Sequence, residues 1–200
     1  MESKRTQAAR SAETQAALVA AARPLFATRG YGKVGTDEIA RAAGVTRGAL
    51  YHQFDGKLEL FAAVFEQVEA EVAASIDVAF ADAFARDPLG AVAAGIDAWL
   101  SASMQPEVHR IVLLEAPAVL GWERWREVGR SYGVGLVEGA VAALIDVGVF
   151  PEQPVRPLAH LLVGALEEGT LYAAGAPDRD GAVAEVRAAL RRLLEGLATS

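Results

Sequence analysis

Arg47, His52 and Gln53 are long polar side chains on one short stretch, with Thr46 before them and Gly48, Ala49 and Tyr51 between. In a helix, that set puts a guanidinium, an imidazole, an amide and a phenol on one accessible side. Arginine and glutamine can each make paired hydrogen bonds to a base edge, so the chemistry on offer is recognition rather than bond-breaking. No nucleophile–base pair, metal cluster or glycine-rich phosphate loop accompanies it, and the sequence does not read as an enzyme. Cysteine is absent, which removes disulfides and thiolate metal sites. His109 and His160 are too few and too far apart in sequence for a metal site. No metal and no cofactor is expected.

Two short helices position these residues in the pattern "TDEIARAAGVTRGALYHQF" over residues 36–54. Thr36 opens the first, with Asp37 and Glu38 favourable near its positive end. Gly44 ends it, because glycine takes positive φ without a Cβ clash. Thr46 is the N-cap candidate for the second helix, Arg47 to Phe54. Ile39, Ala40, Ala43, Val45 and Leu50 have the spacing to bury one face, and Ala40 and Ala43 allow a close crossing. Arg47, Gly48, Ala49, Tyr51, His52 and Gln53 are left for a groove, which is the helix-turn-helix arrangement. Phe54 reads as core and Tyr51 as outward-facing. A preceding helix is predicted from about Ala12 to Thr28, with Leu18, Ala22, Leu25 and Phe26 on one face, a kink at Pro24 and a stop at Gly30. Asp55-Gly56 is a turn, and a long helix follows from Lys57 to about Ala85.

Charge divides along the chain. Up to Lys57 there are nine Lys/Arg against five Asp/Glu, a balance of +4; the remainder carries ten against twenty-one, a balance of -11. A basic head on an acidic body suggests that only the head meets a polyanion. Lys4, Arg5 and Arg10 read as a frayed terminus rather than an arm reaching DNA.

From about residue 11 to 71 the sequence resembles the tetracycline-repressor (TetR) family. The resemblance is carried by "LFATRGY" (Leu25 to Tyr31), Thr36, Ile39-Ala40, Ala43-Gly44-Val45, Gly48, Leu50-Tyr51, Phe54, Lys57 and Leu60. It implies a helix-turn-helix domain over 11–71 and an effector-binding and dimerising domain over 72–200. It also implies phosphate contacts for Thr36, Tyr51 and Lys57, and an approach to bases or backbone for Arg47, Gly48, Ala49 and His52. Gln53 stands where histidine or tyrosine is common, and could read adenine or bind phosphate. Thr46 replaces the more usual serine, an equivalent cap. Gly35 stands where threonine is frequent, which weakens one phosphate contact.

The body is also read as helix throughout, divided at Asp87-Pro88, Gln105-Pro106, Pro117 to Gly121, Gly148 to Pro154 and Gly175 to Pro177. The expected fold is all-α, with about nine helices. Leu158, Leu161, Leu162 and Ala165 form one late apolar stripe, and Val186, Leu190, Leu193 and Leu194 another. Together they are expected to make a two-fold interface, as the last two helices do in the resembled family. Trp99, Met104, Ile111, Leu114, Trp122, Trp125, Tyr132 and Leu136 are taken as the lining of an apolar ligand pocket. Gly129, Gly133, Gly135 and Gly139 fall in one predicted helix, where they make room for a ligand or a close crossing, or mark a break. Asp97, Glu115, Glu167 and Glu168 lie near apolar stretches; one buried beside a tryptophan would suit a cationic ligand.

The N-terminus has no apolar stretch, so no secretory signal is expected, and no run of about 18 uncharged apolar residues suggests a membrane span. The sequence thus reads as a cytoplasmic, ligand-responsive transcriptional regulator. It would be a homodimeric repressor that binds a palindromic operator in double-stranded DNA and is released by a small, largely apolar effector, with no membrane partner. The other reading is a helical small-molecule-binding or scaffolding protein without DNA binding.

Overall fold

Alanine and leucine dominate the chain and β-branched alternation is scarce, so local propensity favours helix nearly everywhere. The computed structural model describes residues 2–198, with side chains from residue 7 onward, and among these the regular structure is helical. The helices are α1 (Glu2–Arg29), α2 (Thr36–Ala42), α3 (Arg47–Gln53), α4 (Lys57–Phe84), α5 (Pro88–Ser103), α6 (Pro106–Val108), α7 (Ala116–Leu120), α8 (Trp122–Asp146), α9 (Val155–Gly175) and α10 (Arg179–Leu197). A π-helical segment, His109–Glu115, links α6 to α7. The division expected over Pro117 to Gly121 falls at its end: helix continues through Pro117 to Leu120 and stops at Gly121, which has φ +83°. α1 begins earlier than Ala12 and continues through Pro24. Proline removes the hydrogen bond to the Ala20 carbonyl, but Ala20 is exposed, so water can replace it. The side chains of Lys4 and Arg5 lie outside the described residues.

The chain divides into two compact units. One runs through Val68 and also includes Pro106–Trp125; the other comprises Glu69–Gln105 and the chain from Arg126 onward. In the first, Phe26, Phe61 and Phe65 are fully buried with Leu18, Ile39, Leu50 and Leu60. The Phe26 and Phe61 rings meet edge to face at 5.2 Å, and Tyr31 closes the cluster at 5.3 Å from Phe61. Burying one such side chain contributes roughly 1.5–3 kcal/mol. Although residues 106–125 lie far along the sequence, three polar ties fasten them within this unit. Arg23 grips Glu107 through two bonds of 2.8 and 2.9 Å. Arg124 grips Glu59 through two bonds of 2.8 Å. The Tyr31 backbone N–H donates to Glu115 at 3.2 Å. A Cβ on Gly30, which has φ +81°, would collide with that Glu115 carboxylate, so the tie and the backbone turn both require glycine.

In the second unit, α9 and α10 approach most closely at Gly169, where a Cβ would sit 2.7 Å from Val186 Cγ1. Val186 and Leu190 pack with Leu100, Ala173 and Ala182, while Leu194 packs with Val141, Leu144 and Phe150. Asp87 caps α5 and Asp178 caps α10, accepting from Gly90 N–H at 2.9 Å and Gly181 N–H at 3.0 Å. α8 continues unbroken through its glycines. No atom lies within 4 Å of where a Cβ would stand at Gly133, Gly135 or Gly139, so these are not close-crossing sites. By composition α8 is the one described helix long and apolar enough to cross a membrane, and it carries Arg130 and Glu138 between its ends.

Candidate nucleic-acid interface

The turn between α2 and α3 follows from Gly44, at φ +68°, whose N–H bonds to Arg41 O at 3.1 Å while Val45 N–H returns to Ala40 O at 2.9 Å. Thr46 caps α3 by accepting from the Ala49 N–H at 3.1 Å. Thr36 does not cap α2: Gly35 holds that position without a side-chain bond. The Thr36 hydroxyl lies instead 3.5 Å from the Tyr51 hydroxyl. Ile39, Ala40, Leu50 and Phe54 are buried, whereas Ala43 and Val45 are half-buried. Because Leu50 and Phe54 turn inward, the helical repeat turns Arg47, Gly48, Tyr51 and His52 outward, and all four are exposed.

The outward face is organised before any partner arrives. The Arg47 guanidinium bonds Asp37 at 3.2 Å and stands 5.5 Å from the centre of the Tyr51 ring. Its proton is held more tightly than usual, first through Tyr51 and then through Asp37. The Tyr51 phenol is lowered from its ordinary pKa, first by Thr36 and then by Arg47. Two hydroxyls and one cation thus form a connected donor group across α2 and α3, while Asp37 screens part of the charge.

Two residues of the expected set also have partners within the fold. Gln53 is half-buried, and its Oε1 accepts from Ser11 Oγ at 2.9 Å, which fastens α3 to α1. Lys57 donates to the carbonyls of Tyr31 and Val34 at 2.9 and 3.0 Å, and stands 4.0 Å over the Tyr31 ring. It clamps the segment between α1 and α2, a role that polar spacing in sequence does not reveal.

The eight residues expected to line one ligand pocket are divided between the units. Ile111 and Trp125 are core residues of the first, and Trp125 Nε1 donates to Val112 O at 3.0 Å. Leu114 and Trp122 belong to the same unit but are exposed. Trp99, Met104, Tyr132 and Leu136 are half-buried in the second. They therefore do not line a single cavity inside either unit. The acidic candidates also separate: Glu115 bonds Tyr31, Asp97 pairs with Arg187, and Glu168 is exposed. Glu167 remains half-buried in the second unit near Glu69, a fully enclosed carboxylate that the sequence reading passed over. Among the stripe residues, Val186, Leu190 and Leu194 are buried in the core of their own chain. Leu161 and Leu193 are exposed, and Leu158, Leu162 and Ala165 are half-buried.

A capped short helix presenting polar side chains over a buried aliphatic anchor, joined by a glycine turn to a second short helix, is a helix-turn-helix DNA-binding head. Two family models match: bacterial regulatory proteins of the tetR family over residues 18–64, and the tetracyclin repressor-like C-terminal domain over residues 89–197. A TetR-family transcriptional regulator from Pectobacterium atrosepticum is 35% identical, covering 96% of this chain and 97% of that one, with a TM-score of 0.83. The transposon Tn10 TetC protein of Escherichia coli is 28% identical over 82% of each chain. The regulator CymR of Pseudomonas putida is 44% identical over 34% of each chain. The chain belongs to the TetR family, and is a DNA-binding transcriptional regulator rather than an enzyme.

Proposed function

We propose that the chain is a homodimeric repressor in the cytoplasm, binding a palindromic operator and released when a small molecule occupies the second unit. The observation that carries this reading is the exposed face of α3, where Arg47, Tyr51 and His52 stand over buried Leu50 and Phe54. Arg47 and His52 reach base edges; Gly48 and Ala49 permit the close approach; Thr36, Thr46 and Tyr51 meet phosphates. Gln53 acts from the edge of this face through its amide. Lys57 supports the face by holding residues 31–34, and its remaining N–H can turn to a phosphate. Residues 11–71 supply the DNA-binding function and 72–200 effector binding and dimerisation.

The two-fold face draws on Leu161 and Leu193 with Leu158, Leu162 and Ala165. Exposed leucines on two late helices are costly to leave in water and inexpensive to cover with their own symmetry mates. The test is footprinting of the operator combined with the mass of the complex in solution. A symmetric footprint and two chains per half-site pair are expected; one chain on an asymmetric site rejects the dimeric reading.

A further inference from the structure

The second unit contains a carboxylate with nothing to satisfy it. Glu69, on α4, is 4% exposed, and no hydrogen bond or salt bridge to its carboxylate is found among the described residues. The charge that acts on it is another acid, Glu167 on α9, and burial followed by that neighbour pushes the Glu69 carboxyl up to about 7. Glu167 is itself raised by burial, offset by Arg126 and Arg130; Arg126 lies 3.9 Å from it. The arginines of α8 thus serve Glu167 and leave Glu69 without a counter-charge. A buried acid in that condition destabilises the fold unless something else compensates.

A second group in the same region also lacks a partner. Ser103, at the end of α5, is fully buried and its hydroxyl makes no hydrogen bond. Only residues 85–87 join α4 to α5, and a Cβ on Gly95 would stand 3.4 Å from Ile76 Cγ2, which sets the register of the two helices. Two turns back from Ile76 is Glu69, and two turns on from Gly95 is Ser103, so the helical repeat brings both to the same level of an antiparallel pair. One turn before Ser103 stands Trp99, whose Nε1 donates to Thr170 Oγ1 at 2.8 Å. Thr170, one turn beyond Glu167, donates its hydroxyl hydrogen bond to Leu166 O at 2.7 Å. Trp99 and Thr170 are therefore satisfied, and they hold an aromatic wall beside two groups that are not. Gly129 of α8 faces this side, where a Cβ would make an ordinary contact with Glu167 Oε1 at 3.9 Å.

We propose that this is a binding site for a small molecule bearing a protonated amine on an apolar body. The ammonium would be placed between the Glu69 and Glu167 carboxylates, with an N–H to Ser103 Oγ and the apolar body against Trp99. An ammonium has donors and no acceptors; the carboxylates here only accept, and the Ser103 hydroxyl can accept while turning its own hydrogen toward a carboxylate oxygen. It supplies the missing counter-charge, and a tryptophan face favours a cation nearby. The site's identity as the effector site rests on the reading of the second unit as the sensing part; its preference for amines does not.

The test uses the full-length protein and three probe pairs: benzylamine, 2-phenylethylamine and 3-phenylpropylamine, each against the alcohol of the same skeleton. Calorimetry and thermal shift are read for wild type, Glu69→Gln and Ser103→Ala, with far-UV circular dichroism to establish folding. At least one amine should bind about tenfold or more tighter than its alcohol, because a charged hydrogen bond in a buried site is worth about 1.5–3 kcal/mol. Glu69→Gln should erase that preference, and Ser103→Ala should reduce it by a smaller factor. Amines that bind no better than their alcohols, or a preference that survives in folded Glu69→Gln, overturns the proposal. Amine binding through Glu69 that leaves DNA bound keeps the site and rejects ligand release. DNA release by the alcohols and amines alike keeps ligand release and rejects the amine site.

Discussion

In the first unit Trp125 bonds a backbone carbonyl, Arg23 and Arg124 each grip a carboxylate through two bonds, and Lys57 closes on two carbonyls. In the second, the Glu69 carboxylate is buried and acted on by another acid, and the Ser103 hydroxyl is buried without a partner one turn from a tryptophan that has one. The difference separates two tasks. A surface that must present side chains in fixed geometry gains from internal ties that immobilise it before its partner arrives. A site that must change state on binding gains from polar groups that only the ligand satisfies, because a ligand shifts an equilibrium by its differential interaction with the two states.

The contrast is broken most severely by removing the anchor beneath the recognition face. Leu50→Ala should cost about 2–5 kcal/mol of stability and disorder α3, seen as a lower midpoint in chemical denaturation. An unchanged midpoint would mean that the outward face does not depend on the core below it.

Next in size is the pH response of the second unit. The Glu69 carboxyl lies at about 7 in the fold against an ordinary 4.5, so the native state holds this proton where the unfolded chain has lost it. Stability from this group therefore falls as pH rises from about 4.5 to 7, by about 3 kcal/mol in all. Glu69→Gln should flatten that slope and leave a smaller residue from Glu167, which is raised in the same direction. Denaturation of both proteins across this range is the measurement; parallel slopes would show that Glu69 finds a counter-charge.

Smaller effects sharpen the first unit. Arg47→Ala should cost about 1–3 kcal/mol on the operator and little on random DNA. Equal losses on both would make Arg47 a backbone contact. Asp37→Asn removes the carboxylate that screens Arg47, and should tighten binding to any duplex by under about 1 kcal/mol, with the gain fading as salt rises. A weaker complex would show that Asp37 positions Arg47 rather than competing with DNA for it.

The head was legible because its signals are local. The Gly44 turn, the Thr46 cap and the alternation of Leu50 and Phe54 with Arg47 and Tyr51 lie within two helical turns of one another, where propensity and capping decide structure. Lys57 and Gln53 also hold partners within the fold that the sequence does not reveal: a lysine facing phosphate and a lysine facing two carbonyls have the same sequence, and only the fold brings Tyr31 and Val34 within reach. The tryptophans show a related limit: nearness along the chain grouped Trp122 and Trp125 with Trp99, whereas the contacts of residues 106–125 bind the first two into the first unit. The two apolar stripes were real, but periodicity does not distinguish a face against one's own core from a face against a partner, and Val186, Leu190 and Leu194 took the former. Glu69 did leave a signal: it stands four residues after Phe65 and three before Val72, on the apolar stripe of α4, but in a run that also holds Glu66, Gln67 and Glu71 it reads as one more surface acid until packing encloses it.

The central claim is that the exposed face of α3 reads DNA. It is tested most directly by fluorescence anisotropy of the full-length protein on two labelled duplexes, one from upstream of its own gene and one of random sequence, over about 50 to 200 mM salt. The account predicts tighter binding to the upstream duplex, a steep loss of affinity with salt on both, and loss of the preference in Arg47→Ala. No binding to either duplex at the lowest salt, or equal binding that Arg47→Ala leaves untouched, would contradict it.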